Sequence, residues 1–271
     1  MGSGGDGAAA RKIHWQEMWR HEFLGALGQD PVVIVPTGSV EQHGPHCPMD
    51  VDISAPFHMA ATVAAAVTDF PVIVAPPLWC GLAHYNMGFP GTISLRSETF
   101  QAVLSDILRS IHANGFHRLV VLNGHGGNWG PSRAVCWQIA EEDIFPVCIN
   151  WWQMVESELR DWGEADGDVG HGGEWETSVQ LYLRPALVDM SRANRDQAGT
   201  QPFSSGLGFA EFAERRRDTV NGTGTMGDAT VATAAKGERV FKLACVRLEQ
   251  LVRELHALPE RRYHQFGSHC P

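Results

Sequence analysis

Twelve consecutive positions, Glu41 to Asp52, hold one glutamate, two histidines and two aspartates. They lie in Gly38-Ser39-Val40-Glu41-Gln42-His43-Gly44-Pro45-His46-Cys47-Pro48-Met49-Asp50-Val51-Asp52. Glycine and proline fix the path of such a loop, so it can hold ligating side chains rigidly. Glu41 and His43, two apart, point the same way if the segment is extended. Carboxylate and imidazole donors in this mixture suit Zn²⁺ or Mn²⁺, and the lack of a nearby thiolate pair argues against a structural zinc site. A solvated turn with some N-cap residues is the alternative reading of this stretch alone.

Two further stretches carry the same residue types. Asn123-Gly124-His125-Gly126-Gly127-Asn128 places a histidine between glycines, where it has little core to fill. A phosphate-cradling loop is the rival reading, but there is no Walker lysine and no GxGxxG spacing. Gly170-His171-Gly172-Gly173-Glu174-Trp175-Glu176-Thr177-Ser178 adds another glycine-framed histidine and two glutamates that open an expected helix. Acidic residues in a first helical turn also arise for dipole reasons alone.

The elements that must position these groups are legible as alternating patterns. Val32–Val35, Val72–Ala75, Leu119–Leu122 and Val147–Asn150 read as strands covered on both faces, as in parallel sheets. Helical spacing of Phe100, Leu104, Ile107, Leu108 and Ile111 predicts a helix from an N-cap at Ser97 to a stop at Gly115. Pro56 to Val67, Pro131 to Glu141 and Thr230 to Leu255 read as further helices. The order predicts an α/β fold: a single-domain, doubly wound, mostly parallel sheet flanked by helices. Residues 11–271 are read as that domain, Met1 to Ala10 as a disordered leader, and Asp189 to Asp228 as an irregular insertion. Such sheets bind ligands beyond the carboxyl ends of their strands, and the first two histidine stretches follow strands one and three.

Bulk properties narrow the class. Hydrophobic residues make up 44% and charged residues 19% of 271, an ordinary globular balance. The formal charge of −10 argues against nucleic-acid or anionic-membrane partners. No apolar run is long enough to span a bilayer. Six cysteines with no CxxC pair read as reduced, mostly buried thiols of a cytoplasmic protein.

The combination resembles the creatininase (creatinine amidohydrolase) family. The resemblance rests on GSVEQHGPHCPMDVD, FPGTISL at Phe89 to Leu95, NGHGGN, GHGGEWETS and GTGTMGDATVATAAKG at Gly222 to Gly237. It implies a metal-dependent hydrolase of a C–N amide-type bond: a cyclic amide, a formamide or a related small polar substrate. Two divalent ions per chain are implied, zinc first and manganese or iron as options, sharing a water acidic enough to supply hydroxide. Glu41 and His125 would hold one metal, His43 the other, and Asp52, eleven residues after Glu41, would bridge both. Creatininase itself has a glutamate two positions after the NGH histidine, where this chain has Gly127. Glu176 is the expected replacement ligand, with Glu174 as second choice.

His171 is the expected proton shuttle, oriented by Asp168, and Glu174 is counted with them as a catalytic candidate. His84, Tyr85, Asn86 and Trp175 are candidate substrate contacts. Trp151 and Trp152 are either pocket wall or core, and His46 supports ligands without being one. Homo-oligomerisation, to a hexamer, follows from the resemblance. The competing readings are a noncatalytic α/β scaffold, a nucleotide-binding oxidoreductase, or a family member acting on a ring ketone, a lactone or a peptide C-terminus.

Overall fold

The computed structural model describes residues 11–164, 170–196 and 222–259. In chain order its main elements are α1 (Arg20–Leu27), β1 (Val32–Thr37), α2 (Val51–Ala66), β2 (Val72–Val74), α3 (Ser97–Ala113), β3 (Arg118–Asn123), α4 (Trp129–Ala140) and β4 (Val147–Asn150). There follow α5 (Glu156–Trp162), α6 (Glu174–Leu183), the short pair β5 (Arg195–Asp196) and β6 (Gly227–Asp228), and α7 (Ala234–Ala257). β1 to β4 form one parallel sheet in the order β2-β1-β3-β4.

Side-chain alternation along the strands creates two cores. Val32, Ile34, Val120 and Leu122 face Met59, Val63, Val240 and Leu248 of α2 and α7. Val33, Val35, Leu119 and Val121 face Phe100, Leu104, Leu108, Val135 and Ile139 of α3 and α4. Helices therefore cover both faces, which is why every residue of β1 is buried and its sequence needs no polar alternation. β1 leads outward to β2, and the chain then passes back beyond β1 to β3. That reversal leaves a crevice between the carboxyl ends of β1 and β3, where Thr37 pairs with Asn123.

The element boundaries differ from the pattern in informative ways. α2 begins at Val51, five residues before the expected Pro56, so Asp52 sits in a first helical turn and not in a loop. Pro56 has no N–H to give the Asp52 carbonyl, the bond an ordinary residue would make. That carbonyl faces Gly124 so closely that a Cβ there would lie 2.0 Å from its oxygen. Ser97 is the first residue of α3, not its cap; Arg96 takes the cap position, and Ser97 accepts from Gln101 instead. The last helix starts at Ala234, capped by Thr233, with a 3-10 turn at Ala229–Val231 where the helix was expected to begin. Of the stretch read as irregular insertion, 197–221 lies outside the described residues, as do Met1 to Ala10. No helix among the described residues is long and apolar enough to cross a membrane. Cys80 and Cys245 are buried free thiols, while Cys47, Cys136 and Cys148 are half-buried free thiols.

α6 and α7 pack unusually close. A Cβ on Gly237 would fall 1.8 Å from the Ser178 carbonyl oxygen. Ser178 also accepts the Thr233 N–H that leads into α7, at 3.0 Å. Gly237→Ala must push the helices apart, at a cost of about 1–3 kcal/mol. A lowered midpoint in chemical denaturation is the expected result; an unchanged midpoint would contradict the close approach.

Candidate metal centre

Three carboxylates and three imidazoles meet in the crevice beyond β1 and β3. The loop after β1 delivers Glu41 and His43, the first turn of α2 delivers Asp52, and the loop after β3 delivers His125. The segment before α6 brings His171, and the helix itself brings Glu176. All but His171 are buried, and the His171 side chain is 14% exposed.

The distances organise these groups around Asp52. Its Oδ2 lies 2.9 Å from His125 Nδ1, which is also 3.2 Å from Glu41 Oε1. Its Oδ1 lies 3.0 Å from His43 Nε2, which is 3.5 Å from Glu176 Oε2. Glu41–Asp52–His125 and His43–Asp52–Glu176 thus form two ligand groups that share one aspartate, each with ligand atoms within 4.8 Å of one another. A third group, Glu41–His43–His171, overlaps both, with His171 Nδ1 at 3.6 Å from Glu41 Oε1.

Each imidazole rests one ring nitrogen on a backbone carbonyl and turns the other toward the carboxylates. His43 Nδ1 donates to Glu41 O at 3.2 Å, His125 Nε2 to Leu82 O at 3.0 Å, and His171 Nε2 to Gln42 O at 2.5 Å. The nitrogen facing inward then carries a lone pair, the tautomer a cation requires. Glu41 Oε1 and Asp52 Oδ2 are buried without a hydrogen-bond partner although His125 Nδ1 is beside both. Burying three carboxylates this way without balancing positive charge is very costly. Orphaned oxygens, inward lone pairs and oxygen–nitrogen donors together fit divalent cations such as zinc or manganese.

In the ion-free cluster the excess of carboxylate charge draws protons onto the two imidazoles nearest Asp52, the place a cation would take. Burial would lower His43, but Asp52, Glu176 and Glu41 outweigh it and raise the imidazole to about 10. His125 is likewise raised, against burial, by Glu41, Tyr85 and Asp52. Burial opposes ionisation of Asp52 and Glu41, yet the neighbouring imidazoles hold both below the usual carboxylate range. Burial dominates at Glu176 and pushes it up to about 7. Burial and the charge of His43 push His171 down to about 4.

Several expected site residues stand elsewhere. Glu174 does not join the cluster: its Oε1 pairs with Lys236 Nζ at 2.6 Å, and the Glu164 N–H reaches its Oε2 at 3.1 Å. Trp175 is buried in the core between sheet, α6 and α7, which leaves it no face for substrate. Trp151 is core too, but it also lines a crevice with Val51, Asp52, Ala55, Glu176 and Gln180. Trp152 packs at the core's edge. His84 is exposed, and Tyr85 places its hydroxyl 3.3 Å from His125 Nε2. Asn86 is buried and donates to Glu41 Oε2 at 2.8 Å, so it braces a carboxylate where a substrate contact was expected. His46 bonds Thr177 Oγ1 at 2.8 Å, outside the ligand groups. Asp168 lies outside the described residues.

Other contributors carried no signal beyond their motif. Asn128 takes the Leu82 N–H on its Oδ1 and donates to Gly38 O, both at 3.0 Å, and so helps hold the residue whose carbonyl orients His125. Asn123 bonds Thr37, Asn150 and the His125 carbonyl, tying the ends of β1, β3 and β4 together. The glycine at 127 has a steric cause: a Cβ there would lie 2.3 Å from Leu82 O and 2.6 Å from His125 Nε2. No side chain fits there while that hydrogen bond is made.

Comparison with known proteins decides the family. The creatininase family model, described as creatinine amidohydrolase, matches residues 16–252. The chain belongs to the creatininase family. It is similar to a mycofactocin precursor peptide peptidase of Mycolicibacterium smegmatis, 35% identical over 222 residues, covering 78% of this chain and 80% of the relative. A creatinine amidohydrolase of Pseudomonas putida is 29% identical over 260 residues, covering 90% of this chain and 95% of the relative. Among solved structures, a mutant creatininase of Zn–Zn type has a TM-score of 0.78, and a manganese creatininase has 0.76. Both are 26% identical and cover 92% of this chain and 100% of their own. Creatininase-family members are metal-dependent hydrolases, and this chain is an enzyme of that kind.

Two measurements follow. Glu176→Gln should lose about one zinc equivalent by elemental analysis, because a neutral amide oxygen is a far weaker ligand, whereas Glu174→Gln should keep its metal. Equal metal in both variants would reject Glu176 as a ligand. Cation uptake must also displace protons held with pKa values of about 10 at His43 and about 7 at Glu176. Apparent Zn²⁺ affinity should therefore rise between pH 6 and 8, by about tenfold per pH unit through His43 and more steeply below pH 7, where Glu176 is protonated as well. A flat profile would contradict it.

Proposed function

We propose that this enzyme is a binuclear metal-dependent hydrolase of a C–N amide-type bond. One observation carries the reading: Asp52 turns one oxygen to each of two ligand groups, Glu41–His125 and His43–Glu176. Divalent cations held there supply Lewis-acid charge that activates water near neutral pH and polarises a carbonyl. The donor set favours zinc first, with manganese or iron as alternatives, and zinc–zinc and manganese forms of creatininase support these two metals.

The protein's own part is positioning and proton transfer. Backbone carbonyls hold the imidazoles, so the site needs little rearrangement when substrate arrives. His171 is the one cluster member with a partly open side chain, and its Nδ1 faces inward. Its Nδ1 lone pair can take a proton from the attacking water and hand it to a leaving nitrogen, which supports a shuttle role. Tyr85, half-buried beside His125 with exposed His84 next to it, lies toward the same opening and supports a substrate contact there.

Two of the relatives support a substrate class. A peptide peptidase and a creatinine amidohydrolase both cleave a C–N bond, and identity to the peptidase is higher, at 35% against 29%. That favours a peptide-type or small cyclic amide over a lactone or ring ketone. Unpaired thiols among the described residues support action in the reducing cytoplasm, and family resemblance supports a homo-oligomer.

Elemental analysis of the purified chain should find about two equivalents of zinc, manganese or iron, largely lost in Asp52→Ala. His171→Ala should retain metal while losing turnover on a panel of short peptides, lactams and formamides. A wild-type chain that takes up neither Zn²⁺ nor Mn²⁺ would sink the proposal and leave a noncatalytic scaffold.

A further inference from the structure

The two oxygens of Glu41 have different surroundings. Oε2 accepts from Asn86 Nδ2 at 2.8 Å. Oε1 has no hydrogen-bond partner and lies 3.2 Å from His125 Nδ1. Asn86 closes the 3-10 turn His84–Asn86 and is 1% exposed. A carboxamide can turn over and present its oxygen in place of its NH₂, which here would set oxygen against a carboxylate.

Gln42 forbids that. Its Nε2 donates to Asn86 Oδ1 at 3.2 Å, so only the Nδ2 side of Asn86 is left for Glu41. Gln42 is itself fixed by two backbone groups of opposite character. Its Oε1 accepts the Gly44 N–H at 2.8 Å, and its Nε2 also donates to the Gly224 carbonyl at 2.9 Å. A backbone N–H can only donate and a carbonyl can only accept. The series Gly44–Gln42–Asn86–Glu41 therefore has one consistent polarity, and it ends by occupying Glu41 Oε2.

Among the described residues the second ligand group has no such side-chain support. Glu176 Oε2 takes the Gly172 N–H at 2.7 Å, and His43 rests on the Glu41 backbone carbonyl. We infer that Asn86, oriented by Gln42, is a positioning residue that fixes Glu41 as a one-oxygen ligand. By doing so it sets the affinity of the Glu41–Asp52–His125 position for a divalent cation separately from that of the His43–Asp52–Glu176 position. This rests on the two-position reading above.

The test uses the full chain, stripped with a chelator and titrated with Zn²⁺ alone against a chromophoric chelator. Wild type, Asn86→Ala and Gln42→Glu are compared, and thermal unfolding of each metal-free chain checks folding. Gln42→Glu removes the donor and frees Asn86 to turn its oxygen toward Glu41 without deleting either side chain. Each variant should bind one equivalent as wild type does and the other about 10–100-fold more weakly. Equal weakening of both equivalents, or of neither, overturns the inference. A wild-type chain that binds two equivalents upholds the reading beneath it whatever the variants do; one that binds none overturns both.

Discussion

Three carboxylates cannot share one dry crevice unless positive charge joins them, and everything around Glu41, Asp52 and Glu176 answers that constraint. Imidazoles alone meet it partly, as the upward shifts at His43 and His125 show. Yet each of these rings is committed on one side to a backbone carbonyl, and two carboxylate oxygens stay unpaired. A protonated ring would leave that mismatch in place. Divalent charge at the inward nitrogens would remove it.

The fold supplies the crevice through strand order. Because β1 and β3 are neighbours while β2 lies on the far side of β1, the loops after β1 and β3 diverge and leave room between them. Those loops would be soft if left alone. Buried asparagines make them stiff: Asn123 joins three strand ends, and Asn128 fastens the Leu82 and Gly38 peptides. An asparagine side chain donates and accepts at once, so one residue can tie two loops together.

The same rigidity accounts for the departure at Gly127. With the Leu82 carbonyl packed against Gly127 and bonded to His125, this corner of the site holds a histidine orienter in place of a carboxylate. On the opposite side of the cluster α6 brings the Glu176 carboxylate beside His43. Lys236 assists by engaging Glu174 and spending its other hydrogen bonds on Glu164 and Val231. Glu174 thereby holds the Glu164 N–H and stays out of the cluster.

Residue types and short spacings were enough to locate the strands and the carboxyl-end loops, and the family resemblance then singled out Glu41, His43, Asp52 and His125 as candidates. Local pattern reaches that far because buried parallel strands are continuous apolar runs and rigid loops advertise themselves with glycine and proline. It could not choose between Glu174 and Glu176. Residues two apart on a helix point about 200° from one another, so only one can face the crevice, and the sequence does not say how the helix is turned. Packing decided it, through Lys236 on α7 and the Ser178 carbonyl against Gly237. The role of Asn86, read from sequence as a substrate contact, and that of Gln42 were hidden for the same reason. A neutral amide looks alike on a surface or beside a ligand, and only the folded chain brings Asn86 to Glu41, 45 residues away.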